Sequence, residues 1–438
     1  MVWDGECDFC RLCADRFKSQ KKVNIEFIPY QEIFNKYPKA PELDYKKSVV
    51  FFTKKDTYKG AAAVFSFYNE IGKKLPMWLY RKFKIFEKIS ESFYQFIANN
   101  RRLFQSIGQF FWGSNYLPDT YKISGWIYGR LLGFVGLIAF LSFWSQSDML
   151  ISSEGIVPFE SDLRQIEGFI TKTNIDISKW SAKPTILWLS QNDLWLDVVL
   201  LLGTLASLSL AIGLVPHISI AVSWMCYLSI CSVSEPFLNF QWDTLLLETY
   251  LLSIFFVPWK IFDDRKNIQN PSRIGKWLLW LLIIKLMVES GIVKFTFFGS
   301  DGSNTWRDLT ALNYHYWTQP IPSWISWYVD KLPGVIDKIA LAFTYCCELV
   351  IPFMILFPRR IRRVALFSLI IFQVLIIAAG NYGFFNLLTI VICITLIDDQ
   401  LVEVYVSKWL SSVKEGNGKN LEKIKLVFGL IILSCFIY

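Results

Sequence analysis

The 438-residue chain gathers its apolar residues into long blocks, and this constrains the fold more than any other feature. The blocks lie at about 126–146, 194–214, 216–233, 244–258, 276–297, 335–357, 361–380, 384–397 and 424–438. A bilayer-spanning helix needs about 20 apolar residues, so most of these blocks read as spans. Those starting at 244, 384 and 424 are short and read as re-entrant, tilted or incomplete. Only 19% of residues are charged, against about a quarter in soluble domains, which argues against an ordinary cytosolic enzyme and excludes disorder. Nine cysteines are too few for a disulfide-stapled scaffold, and six of them lie in or beside apolar blocks.

The net charge of +8 would hint at nucleic acid on a soluble chain, but its position gives it another meaning. Residues 1–125 hold 21 Lys/Arg and 13 Asp/Glu, whereas residues 126–438 hold 24 of each. The chain thus reads as a basic soluble head followed by a neutral apolar body. Its expected surroundings are a lipid bilayer, with no nucleic-acid partner. With the amino terminus inside and every block crossing, inside loops 259–276, 358–363 and 398–425 carry 14 Lys/Arg and outside loops carry 6. Arg359, Arg360, Arg362 and Arg363 weigh most, because four cations in one tight loop resist translocation. No basic, apolar leader precedes Asp4, so the head is expected to stay where it is made.

Within the head, the residue pattern predicts a strand stub at 1–3, a helix at 10–18, a strand at 23–30 and a strand at 48–53. A polar turn at 54–59 and a helix at 60–71 follow. This order predicts a small α/β sandwich of thioredoxin type over residues 1–75. Residues 76–125 read as a basic amphipathic helical segment, with Trp78, Phe83, Phe86, Phe93 and Phe96 interleaved among Arg81, Lys82, Lys84, Lys88, Arg101 and Arg102. Such a segment suits an anionic membrane surface. Residues 126–438 form the all-α polytopic membrane domain, with about eight to nine spans.

The head's chemistry lies in Cys7, Cys10 and Cys13, spaced three apart. At a helix start, unpaired backbone N–H groups favour a thiolate, and a second sulfur one turn on is placed to resolve a mixed disulfide. Redox exchange by Cys7 and Cys10, with Cys13 auxiliary, stands beside metal or iron–sulfur ligation and beside inert thiols. Zinc wants a fourth ligand, and neither His217 nor His315 lies in the head. No metal and no cofactor is expected.

The run Trp3-Asp4-Gly5-Glu6-Cys7-Asp8-Phe9-Cys10, with Phe27-Ile28-Pro29-Tyr30-Gln31 and Tyr94-Gln95-Phe96-Ile97-Ala98-Asn99-Asn100-Arg101, resembles the DCC family (DUF393) of thiol-disulfide oxidoreductases over about residues 1–112. That resemblance implies that Cys7 and Cys10 are the redox pair. With the head inside and no cysteine in the expected outer loops, any redox coupling passes through a cytosolic thiol partner, passes through the membrane cysteines, or does not exist. The first strand is clipped and the chain ends in an apolar block, so the chain reads either as a natural short form or as a piece of a longer protein, and the clipped strand favours the piece.

Three polar stretches interrupt the body on its expected outer side: Ser234 to Glu248, Ser290 to Pro320 and Gly380 to Asn386. They hold the candidate binding residues Gln241, Trp242, Asp243, Glu248, Trp306, Arg307, Asp308, Asn313, Tyr314, Asn381, Tyr382 and Asn386. With Trp180 to Asp193 and Glu348-Leu349-Val350-Ile351-Pro352, they resemble the lipase maturation factor family from about Gly129 to Asp399. This resemblance implies a multi-pass membrane protein acting on exported clients, with lipases as clients of the animal members. Fusions of such a head and body look bacterial, so the expected site is a bacterial inner membrane with a cytoplasmic amino terminus, or alternatively the endoplasmic reticulum membrane.

An ionisable group within a span costs about 2.5 to 3.5 kcal/mol on insertion scales, so Glu248, Lys285, Glu289, Lys294 and Glu348 are expected to face one another or a wet cavity. Lys285 and Glu289, four residues apart, suit an ion pair on one helix face. Three roles stay open for the group: locking helix packing, lining a client or lipid cavity, or catalysis. Lys294, followed twelve residues later by Trp306, is similar to the lysine and tryptophan of vitamin K-dependent carboxylase membrane regions. That likeness implies a desolvated base at Lys294 with His315 nearby. Without it, Lys294 reads as snorkelling and His315 as holding a loop.

Overall fold

The computed structural model describes residues 1–20, 25–53, 56–173, 176–264, 268–402 and 425–430. The chain divides into two compact units, Met1–Asp119 with Pro358–Arg360, and Thr120–Phe357 with Ile361–Tyr438.

In the first unit, β1 (Val2–Trp3), α1 (Asp8–Gln20), β2 (Ile28–Pro29), α2 (Tyr30–Lys36), β3 (Val50–Phe52), β4 (Thr57–Lys59) and α3 (Gly60–Glu70) follow in order. The sheet order is β2-β1-β3-β4, with β1 and β2 parallel and the other two pairs antiparallel. Side chains alternate across a strand. Val2 and Val50 therefore pack on one face with Ile33 and Tyr45, and Met1 and Phe51 on the other with Ile25, Ala63 and Phe67. The expected polar turn at 54–59 is corrected: Thr57–Lys59 pairs with β3 as the edge strand, in the register Phe51 to Tyr58. The strand expected at 23–30 narrows to Ile28–Pro29, because Tyr30 already begins α2; residues 23 and 24 lie outside the described residues.

Residues 76–112 form α4 (Leu75–Lys82), α5 (Lys84–Asn99) and α6 (Arg101–Trp112). They are tied to the sheet layer by specific bonds. α3 lacks a side-chain cap of its own at Lys59. Its exposed N–H groups are instead taken by Glu91 of α5, which accepts from Ala61 (3.2 Å) and Ala62 (3.1 Å) and from the Tyr80 hydroxyl (2.9 Å). A carboxylate there satisfies orphan donors and complements the helix dipole. Gly60 sits at φ +59° in the left-handed region, and a Cβ on it would press on the Glu91 carboxylate.

The second unit is mostly helical: α7 (Lys122–Leu150), α8 (Phe159–Thr173), α9 (Lys179–Ala182), α10 (Asp193–Ile212), α11 (Pro216–Val233), α12 (Gln241–Phe256), α13 (Arg273–Thr296), α14 (Leu312–Thr318), α15 (Trp324–Asp330), α16 (Gly334–Leu349), α17 (Arg359–Ala379) and α18 (Phe385–Ile394). Among the described residues, α7, α10, α11 and α17 are long and apolar enough to cross a membrane. The blocks at 244 and 384 become the shorter α12 and α18, of 16 and 10 residues. Of the last block, residues 425–430 are helical and 431–438 lie outside the described residues.

α7 and α10 approach closely at Gly133, where a Cβ would strike the α10 backbone at Ser207 and Ala211. Small residues allow such contact where apolar burial gives little drive between helices in lipid. Buried polar groups pair across helices: the Tyr128 and Ser253 hydroxyls lie 2.5 Å apart, and Asn386 donates to Gln373 at 2.7 Å. Asp399 accepts from the Lys122 and Ile123 N–H groups, both at 3.0 Å, and so caps α7 from 276 residues away.

Candidate functional sites in the head and body

Cys7 directly precedes α1, and its Sγ accepts from the Cys10 backbone N–H at 3.3 Å. A sulfur in this place takes one of the helix's unpaired N–H donors. Burial first, then the hydrogen bond to Cys7, pushes the Cys10 thiol well above the ordinary range, and the Arg101 charge partly offsets this. Burial followed by the charge of Cys7 pushes Cys13 up to about 12. The three sulfurs are thus unequal, with Cys10 and Cys13 held as thiols. Arg101 binds Asp4 at 3.1 Å and donates to the Lys46 and Lys47 carbonyls at 2.7 and 3.1 Å, while the Tyr94 hydroxyl accepts from Val49 N–H at 2.8 Å. The late motif Tyr94 to Arg101 therefore fastens α5 and α6 to the loop before β3. Neither residue's role was visible in the cysteine spacing.

In the body, a cavity of about 490 Å3 opens between α12 and α13. Leu282, Lys285, Leu286, Glu289, Ser290 and Val293 line it from α13, the three-and-four spacing of one helix face. Gln241 and Glu248 line it from α12, and Lys294 closes one side. Lys285 reaches across to Glu248 at 2.6 Å, while its helix-face neighbour Glu289 lines the same space. Lys294 pairs with Glu348 of α16 at 2.6 Å and also donates to the Ser290 carbonyl at 3.1 Å.

The Lys294 ammonium lies 5.0 Å from the centre of the Trp306 ring, and the His315 ring adjoins that ring with centres 6.5 Å apart. Cation and ring face attract. His315 Nε2 meets the Tyr382 hydroxyl at 3.1 Å, and that hydroxyl donates to Gln319 at 3.2 Å. Burial, aided by the nearby Lys294 charge, holds the His315 imidazole below the usual histidine range. Residues far apart in sequence thus form one row: Glu348, Lys294, Trp306, His315, Tyr382.

The remaining candidates fall elsewhere. Asp243 is buried and accepts from the Tyr227 hydroxyl (2.6 Å) and Phe240 N–H (3.1 Å), so it joins α11 to the start of α12. Trp242 stacks on Phe240 with ring centres 4.6 Å apart. Arg307 lies over Phe298, and Asp308, Asn313 and Tyr314 are exposed. Asn381 accepts from Gly383 N–H within its own turn, and Asn386 serves the Gln373 bond. Asn304 was missed: it is buried, donates to the Lys294 carbonyl at 2.9 Å and accepts from the Trp306 and Arg307 N–H groups at 3.0 and 3.1 Å. An Asn in a polar Gly- and Ser-containing loop is an Asx-turn signal, its side-chain oxygen taking the backbone N–H two residues on, and could have disclosed it.

Comparison with known proteins gives two family matches: the lipase maturation factor transmembrane domain over residues 124–404, and DCC1-like thiol-disulfide oxidoreductase over residues 1–106. Lipase maturation factor 2 of Gallus gallus is 34% identical over 293 residues, covering 65% of this chain and 39% of its own length. The Homo sapiens protein of that name is 35% identical over 286 residues, covering 61% and 38%. Lipase maturation factor 1 of Mus musculus is 32% identical over 275 residues, covering 62% and 47%. The chain therefore spans about two-fifths to half the length of these relatives. They are vertebrate proteins and lend no support to a bacterial inner membrane. No solved structure matches.

Proposed function

Because the chain belongs to the lipase maturation factor family, we propose that it is a membrane-embedded factor for maturation of exported proteins, coupled to a thiol-disulfide oxidoreductase head. The observation that carries this reading is the joining of both families in one chain, with the Cys7 sulfur at the start of α1 and Cys10 one turn behind it. Lipases, after which these relatives are named, are the first client class to test.

The chemistry follows from the unequal sulfurs. The Cys7 thiolate attacks one sulfur of a partner disulfide, forming a mixed disulfide and releasing the other partner sulfur as a thiolate. Cys10 loses its proton to that leaving thiolate and attacks Cys7 Sγ. The partner departs as a dithiol, reduced by two electrons, and Cys7 and Cys10 are left as a disulfide. A thiol donor on the head's side of the membrane restores the pair.

In this reading the head occupies the side of the basic loops, and α12, α13, α16 and α18 join the four long helices and the final apolar block in a bundle of about eight to nine spans. The exposed apolar residues of α4 to α6, among them Trp78, Phe83, Ile85, Ile89 and Phe96, with Lys82, Lys84 and Lys88 beside them, suit a membrane surface. The expected outer loops contain no cysteine, so the redox partner lies on the head's side or reaches it through the membrane.

A second reading concerns the body's cavity. The ion-paired geometry of Lys294 favours a client or lipid-binding space over a carboxylase-like base, because its ammonium is already committed to Glu348 and Trp306. Trapping tests the main reading. Full-length Cys10→Ser in its native membrane should accumulate a mixed disulfide through Cys7. Cys10→Ser and Cys7→Ser giving the same adducts would defeat the oxidoreductase assignment.

A further inference from the structure

The head holds a feature that thiol exchange does not use. An apolar cavity of about 320 Å3 is walled by Phe9, Phe17, Phe27, Val64, Phe65 and Phe93, with Cys10 and Cys13 on its border. Protein interiors are packed at the density of organic crystals, so a void of this size is not ordinary packing. It falls at the lower end of the range for ligand pockets, roughly 300 to 1,000 Å3. Phe93 both lines the cavity and is 59% exposed, so the space reaches the surface.

A broad groove of about 1180 Å3 adjoins it, and the two share Asp4, Ser48, Tyr94, Ala98 and Arg101. The groove carries Lys46, Lys47, Lys59, Arg101 and Arg102 against the carboxylates of Asp4 and Glu91. Both carboxylates are occupied: Asp4 holds Arg101, and Glu91 holds the start of α3. Lys47 pairs with Asp44. Lys46, Lys59 and Arg102 have no carboxylate partner among the described residues, so the groove keeps an uncompensated positive charge.

We propose that the head binds a long-chain carboxylate, with its alkyl chain in the cavity against Cys10 and Cys13 and its carboxylate in the groove among Lys46, Lys59 and Arg102. The pairing of the two spaces selects this class. A neutral apolar molecule leaves the three cations unused, and a short anion leaves the dry cavity empty. An amphiphile with one chain and one negative charge satisfies both. The proposal needs no redox step and stands apart from the thiol-exchange reading.

The test is photo-crosslinking of a diazirine-bearing palmitate to the full-length protein in phosphatidylcholine nanodiscs, with the modified peptides identified by mass spectrometry. Adducts are expected within α1 and α5. Unlabelled palmitate should compete, and hexadecanol, which lacks the charge, should need at least about tenfold more. Replacing Lys46, Lys59 and Arg102 together by serine should raise the competing palmitate concentration about tenfold, three surface charge contacts being lost. Val64→Trp should fill the cavity and remove the adducts. Adducts that survive a folded Val64→Trp, or hexadecanol competing as well as palmitate, overturn the proposal. If Val64→Trp does not fold, the triple serine variant decides, and an unchanged competition curve overturns it.

Discussion

Removing the Glu348 carboxylate is the sharpest test of what the body's polar row does. Glu348 is 5% exposed and Lys294 19%, and their side chains meet at 2.6 Å. Glu348→Leu leaves the Lys294 ammonium with the Ser290 carbonyl and the Trp306 ring, neither of which carries a compensating charge. Breaking a buried pair from one side costs about 3 to 5 kcal/mol, whereas replacing both members by apolar residues of similar volume is often neutral. We therefore expect Glu348→Leu to destabilise by about 3 kcal/mol, discounted toward the lower bound because Lys294 is not fully enclosed. Lys294→Met with Glu348→Leu should recover most of that loss. The assay is equilibrium unfolding of the reconstituted protein, arranged as a double-mutant cycle. If the single variant loses less than about 1 kcal/mol, or the double variant is no more stable than the single one, the pair does not hold α13 to α16 and the reasoning fails. A stable double variant that lacks the proposed maturation activity would assign the pair to function beyond packing.

Other consequences are equally direct. Glu91→Ala should lower stability by about 1 to 2 kcal/mol and speed hydrogen exchange at Ala61 and Ala62, whose N–H groups lose their acceptor; unchanged exchange there would refute the capping role. Limited alkylation of the native protein at pH 8 should label Cys7 ahead of Cys10 and Cys13, because burial raises the latter two thiols; equal labelling would contradict it. His315 has its proton affinity depressed by folding, so the unfolded chain binds the proton more readily and stability should fall as pH drops through the ordinary histidine range near about 6.5. His315→Gln should flatten that slope, and an identical slope would place the dependence elsewhere. Gly133→Leu should disrupt the contact of α7 with α10 and lower the unfolding midpoint; a wild-type midpoint would show that the helices separate without cost.

Much of the architecture is legible in the residues. The apolar blocks mark α7, α10, α11 and α17, since a helix long enough to span needs only length and composition to be noticed. The spacing of Cys7 and Cys10 marks a helix start, and α1 does begin at Asp8. Short elements were harder. The polar run Thr57-Tyr58-Lys59 reads as a turn, and only its pairing with β3 makes it the strand β4. Likewise Asp243 and Asn386 look like binding residues from their polarity, yet each satisfies a buried partner on a neighbouring helix.

Residue order alone dictates the division into basic head and apolar body, the helical character of the body and the presence of charges that must find partners inside it. Tertiary structure decided which partners. Periodicity reports one helix at a time, so it offered Glu289 to Lys285, while the bundle brings Glu248 to it from α12 and Glu348 to Lys294 from α16. The same limit hid the apolar cavity beside Cys10, which exists only where α1, α3 and α5 leave space between them. A linear pattern carries the chemistry of each side chain, but the distance between two of them is set by how helices pack.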